Sequence, residues 1–176
     1  LLGSLGIDAA GLMKAPYDAA GAWGTPTWLV PPAGGQNNFY PAYSPDAQWV
    51  VFNRSPSNTN SAGGDSSTVS GVADAEIWVV AADRSGLTMQ LAAAGSGPAD
   101  TWVKWDPTSY LDQGRTLFWL TWASQRAYGL RYAQGAKVQL WMAAFDPAAA
   151  RAGTAPDSPA FRLPFQDIES GNHVAQ

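Results

Sequence analysis

One stretch of this chain is written twice, and that repeat limits the possible folds more than any local signal. Tyr40-Pro41-Ala42-Tyr43-Ser44-Pro45 and Trp102-Val103-Lys104-Trp105-Asp106-Pro107 both read aromatic, two residues, aromatic, small polar, proline. A second element follows each copy: Trp49-Val50-Val51-Phe52-Asn53 and Leu117-Phe118-Trp119-Leu120-Thr121. A third follows again, Glu76-Ile77-Trp78-Val79-Val80 and Gln139-Leu140-Trp141-Met142-Ala143. The offset from Trp78 to Trp141 nearly equals that from Tyr40 to Trp102. This third element has an upstream copy in Leu12 to Asp18, which matches Leu140 to Asp146 at close to twice that offset. A fourth short element closes each unit: Thr27-Trp28-Leu29-Val30, Met89-Gln90-Leu91-Ala92 and Ala160-Phe161-Arg162-Leu163. Ordered recurrence of this kind means that each unit buries its apolar surface against the next.

The elements are short, rich in Val, Leu, Trp, Phe and Tyr, and bounded by Gly, Pro, Asp and Ser, which are strand signals. The first full unit reads as strands over about 39–43, 48–53, 75–82 and 87–92. Its turns are Ser44-Pro45-Asp46-Ala47 and Asp83-Arg84-Ser85-Gly86. Pro presets φ in the first, and Asp can bond its own backbone in both. Residues 54–74 are almost wholly polar and read as an exposed insertion, with comparable insertions expected around 108–115 and 124–137. Such insertions lengthen the period beyond the roughly 40–45 residues of a plain four-stranded propeller unit.

Composition agrees with an all-β chain. Nine Trp suit strands and the space between packed sheets, and 18 Gly with 13 Pro imply many turns. Only 14% of residues are charged, against roughly 25% in an average soluble protein. A net charge of −4 with ten scattered basic residues argues against nucleic acid as a partner. Without cysteine there is no disulfide, thiolate nucleophile or Cys-based metal site. No apolar run approaches the roughly 20 residues that span a bilayer. The chain opens on Leu1, and the expectation is a mature product or a fragment.

From Tyr40 to Phe52, the run Pro41, Ser44-Pro45-Asp46-Ala47 and the apolar strand ending in Phe resembles the WD40-like β-propeller repeat of the TolB type. Ile77 to Val80 followed by Asp83 and Gly86 is similar to that repeat's third strand and turn. Ala47 departs from the family's glycine. The second unit matches more loosely, with Asp106-Pro107 in place of Ser-Pro. The resemblance implies an all-β fold of β-propeller blades, each of four antiparallel strands, about two full blades plus part of a third. The expected layout over 1–176 is a blade end at 1–30, blades at 39–92 and 100–164, and a C-terminal tail at 165–176. An incomplete ring leaves edges and apolar faces open. The chain is therefore expected to be the C-terminal part of a longer ring, completed by further blades or by another chain in a larger complex. The resemblance further implies a periplasmic or extracellular scaffold that binds a protein partner.

Residues that could carry chemistry are sparse. His173, the lone histidine, lies in a polar tail, and no Gly-x-Ser-x-Gly elbow accompanies it. A zinc site of His and Cys is excluded by count, and no EF-hand spacing surrounds Asp65 or Asp74. Gly34-Gly35 and Gly63-Gly64 sit in turns rather than ahead of helices. Asp83, Asp106 and Asp146 recur where turn chemistry explains them. The expectation is thus no catalytic residue, no metal and no cofactor. Asn53, Arg54, Gln125, Arg126 and Tyr128 follow the second strands and are expected on rim loops, since Arg and Tyr favour binding hot spots. The competing expectation is that each Arg pairs locally and shapes its loop. Trp49, Phe52, Trp78, Trp105, Trp119 and Trp141 are expected in the core rather than on a sugar-stacking platform. Asn53-Arg54-Ser55 also spells a glycosylation sequon. The alternative to a binding scaffold is the propeller domain of a larger enzyme, such as a prolyl-oligopeptidase-type peptidase or a haem oxidoreductase, with its catalytic part elsewhere.

Overall fold

The structure is a computed structural model that describes residues 9–56, 75–95, 100–130 and 137–172. Three antiparallel sheets follow one another along the chain, and none closes on itself. β1 (Leu12–Lys14) and β2 (Thr27–Val30) form a two-stranded ribbon. β3 (Gln36–Tyr43), β4 (Trp49–Pro56), β5 (Glu76–Ala81) and β6 (Thr88–Gln90) form the first four-stranded sheet in chain order. β7 (Thr101–Asp112), β8 (Arg115–Ser124), β9 (Gln139–Phe145) and β10 (Phe161–Arg162) form the second, also in chain order. The only helix among the described residues is α1 (Pro147–Arg151), between β9 and β10. The chain is therefore all-β, and each set of four repeated elements makes one sheet.

Strand alternation decides what stacks on what. Trp49 and Val51 of β4, with Ile77 and Val79 of β5, point to the second sheet. There they meet Phe118, Leu120 and Trp122 of β8 and Trp141, Ala143 and Phe145 of β9. Val50, Phe52 and Val80 point the other way, onto Leu12, Leu29 and Val30 of the ribbon. Because both of its faces are covered, the first sheet reads as continuous apolar runs. Each large side chain sealed in this way contributes about 1.5–3 kcal/mol. In the second sheet, Leu117, Trp119, Thr121, Leu140, Met142 and Ala144 form a far face that is only half-buried.

The turn at Ser44 puts Ala47 where a glycine would be favoured. Ala47 N–H donates to Ser44 O, and Asp46 Oδ1 accepts from both Ser44 Oγ and Gln48 N–H. This geometry holds Ala47 at φ 55°, the left-handed region that disfavours a Cβ.

Two expectations are corrected. Residues 108–115 are not a loop insertion, because β7 and β8 continue through them and join across Gln113 (φ 49°) and Gly114 (φ 81°). Two successive positive φ values belong to the tight hairpin turn that suits strand twist. Secondly, Phe52 lies opposite Trp78 while Trp122 lies opposite Trp141. The second strands therefore correspond through Phe52 with Trp122 and Trp49 with Trp119, two further along than the sequence pairing of Trp49 with Leu117. An even slip keeps every side chain on its face, so the apolar pattern could not reveal it. The C-terminal segment after Leu163 folds back onto β9. Gln166 bonds both backbone groups of Leu140, and Gln139 Nε2 donates to the carbonyls of Asp167 and Ser170. Of the expected polar insertion, residues 54–56 belong to β4, whereas 57–74, with Gly63, Gly64, Asp65 and Asp74, lie outside the described residues. So does His173.

Candidate functional site: a repeated arginine joint

The five residues expected on rim loops fall into different surroundings. Asn53 and Arg54 are not in a loop but inside β4. Asn53 is wholly buried: its Nδ2 donates to Glu76 O and Asp100 O, and its Oδ1 accepts from Val103 N–H at 3.4 Å. It rivets the two sheets together, because Asp100 and Val103 belong to the entry of the second. Arg54 lays its guanidinium 4.0 Å from the Trp78 ring centroid and 5.4 Å from that of Phe52. Its Nε donates to Asn38 Oδ1 at 2.9 Å. Burial lowers the Arg54 pKa from its ordinary value, and Glu76 opposes this shift.

Arg126, just beyond β8, makes the same arrangement one unit later. Its guanidinium lies 4.9 Å from the Trp141 centroid and 5.5 Å from that of Trp122. It binds both oxygens of Asp100, at 2.8 and 2.7 Å. Trp122 Nε1 adds a third donor to that carboxylate, whose side chain is wholly buried. Both of the Arg126 bonds come from Nη2, while Nε donates to Ser124 Oγ, so the planar guanidinium serves two acceptors and lies by two rings at once. Asn38 and Asp100 are separated by the same stretch of chain as Tyr40 and Trp102. Each joint is thus an acceptor before the first strand's aromatic, an Arg at or just beyond the end of the second strand, and the Trp of the third. Both arginines are held across strands, Arg54 by Asn38 of β3 and Arg126 by Asp100 at the entry to β7.

Asn38, Asp100, Tyr40 and Trp102 were not among the sequence candidates. Extending the repeat two residues upstream of each aromatic would have exposed the Asn38/Asp100 pair. Tyr40 (φ 52°) and Trp102 (φ 58°) both take the left-handed conformation, at irregularities in β3 and β7. Their rings stack at 4.3 Å with 24° between planes. A groove of about 120 Å³ runs beside them, lined by Pro41, Ala42, Val103 and Lys104.

Gln125 is half-buried, while Tyr128 is half exposed, its ring under Arg162 and edge-on to Trp141. Of the aromatic series, Trp49, Phe52 and Trp141 are buried and Trp78, Trp105 and Trp119 are half-buried. The most exposed indoles are Trp23 and Trp28, in the ribbon region. Among the described residues no group of three or more His, Cys, Asp or Glu is placed to hold a metal, and no helix is long and apolar enough to cross a membrane. The joint aligns charge and aromatic surface, and it holds no nucleophile beside a base. No family model, curated protein or solved structure matches the chain.

Proposed function

We propose that this chain is part of a non-enzymatic β-propeller scaffold of the TolB-like type, and that it presents loops to a protein partner in the periplasm or extracellular space. The observation that carries the reading is the repetition itself: two four-stranded sheets in chain order, stacked face to face, each with an Arg over the Trp of its third strand. A blade requires four antiparallel strands running in sequence from one edge to the other. The compartment rests on the family resemblance of Tyr40 to Phe52. The partner-facing surface is the end of the second sheet after β8, where half-exposed Tyr128 and half-buried Gln125 meet solvent.

Single-particle images of the complete gene product test the ring: toroidal particles with blade-like lobes are expected, and a closed sandwich would overturn it. A photo-crosslinking amino acid at Tyr128 in the native host tests the surface. A discrete adduct with one protein is expected. Efficient incorporation without any adduct would remove the partner from this end. The second reading, a propeller attached to an enzyme, requires a catalytic region in the complete reading frame.

A further inference from the structure

The contact between the two four-stranded sheets ends in a socket, and the second sheet carries a copy of it. In the occupied socket, Trp49 lies opposite Ala81, and Asp83 follows two residues later. Asp83 spends Oδ1 on Ser85 N–H in its own turn and keeps Oδ2 for the neighbouring sheet. Arg151, at the end of α1, binds that Oδ2 at 2.6 Å and holds its guanidinium 4.7 Å from the Trp49 centroid. Ala150 of the same turn is fully buried in the apolar cluster that the two sheets share.

In the copy, Trp119 lies opposite Ala144, and Asp146 follows two residues later. Asp146 spends Oδ1 on Ala148 and Ala149 N–H, again within its own turn. Its Oδ2 has Arg115 Nη1 at 3.7 Å, too long for a hydrogen bond. Beside it lies a pocket of about 300 Å³ lined by Arg115, Leu117, Ala144, Asp146 and Asp157. Trp119 meets Phe161 edge-on along the same half-buried face.

We infer that Trp119, Ala144 and Asp146 form the docking socket for a further four-stranded unit, which inserts an arginine from the turn between its third and fourth strands. The occupant is named by the joint already present: apolar side chains for the face, and one guanidinium for Trp119 and Asp146 Oδ2. This deepens the scaffold reading, but it rests on stacking and does not need ring closure. Particles that are not toroidal would end the ring and leave the socket standing.

The test is a chain in which residues 93–172 are repeated after Gln176. Folding of the added unit is read from its own amide signals, and docking from hydrogen exchange at Leu117, Trp119 and Leu140. Protection at least about tenfold above the original chain is expected, and it should fall when the added Arg151 is changed to Ala. A folded added unit that leaves Trp119 unprotected would overturn the socket.

A second measurement does not depend on that folding. The original chain is titrated with a peptide of sequence Asp146 to Asp157 while the Trp119 indole and Asp146 carboxyl signals are followed. Saturable shifts are expected, about fivefold weaker with the Arg151→Ala peptide, the scale of an exposed cation–π contact. Equal behaviour of the two peptides would overturn the guanidinium's role. Protection of Trp119 that rises with the concentration of the original chain alone would assign the face to a second copy instead, and would also overturn the proposal.

Discussion

At the residue scale, backbone and charge state the demands that composition hides. Ala47 occupies a left-handed position that its side chain resists. Ala47→Gly should stabilise the protein by about 1 kcal/mol, because relief of strain exceeds the entropy that glycine adds to the unfolded chain. Urea titration should show a higher midpoint at an unchanged slope. The Asp100–Arg126 pair predicts a larger loss. Arg126→Ala removes the cation from a wholly buried carboxylate and should cost about 3–5 kcal/mol. Arg126→Lys should recover only part, since an ammonium cannot also reach Ser124 Oγ and lie by two rings. The turn at Ser44-Pro45-Asp46-Ala47 was legible in the sequence, whereas the positive φ of Ala47 was not, because alanine fits other turn types without strain. Asn53 was not, because a polar residue at the end of a strand reads the same whether it points to solvent or rivets two sheets.

The elements themselves were largely readable, since strands announce themselves by alternating apolar residues between turn formers. β2 begins and ends where its four-residue motif does, and the turns at Ser44 and Asp83 lie where Pro, Asp and Gly place them. The β7–β8 hairpin was missed for a physical reason. Asp106, Pro107, Ser109 and Gly114 look like loop chemistry, yet the strand absorbs the first of them as an irregularity and keeps pairing to Asp112–Arg115. Gly114 (φ 81°) should not tolerate a side chain. Gly114→Ala should lower stability by about 1 kcal/mol and raise amide exchange from Ser109 to Leu117, while the β8–β9 ladder keeps its protection.

For the whole molecule, the sheets share one apolar cluster and several cross-sheet fastenings, among them Asn53, Trp105 to Ala42 O and Asp83–Arg151, so unfolding should be a single transition. Acid should loosen one fastening first. Backbone bonding from Ser85, then the Ser85 side chain and Arg151, lower the Asp83 pKa to about 2. The stabilisation from Asp83 is therefore complete above about pH 4, the ordinary carboxylate value, and disappears as pH falls toward 2. Arg151→Ala should raise the NMR-measured Asp83 pKa only part of the way, because the Ser85 bonds are the larger cause.

Corresponding positions in the two four-stranded units are not evenly spaced along the chain. From Tyr40 to Trp102 and from Trp78 to Trp141 the separation is almost the same, whereas from Phe52 to Trp122 it is longer. The longer β7–β8 hairpin of the second unit is offset almost completely by a shorter connection between its second and third strands. The two units thus differ in length at both ends of their sheets, while the Trp and acceptor positions keep nearly one spacing. A lineage of such chains can remodel the surfaces it shows to other molecules without renegotiating how its layers fit.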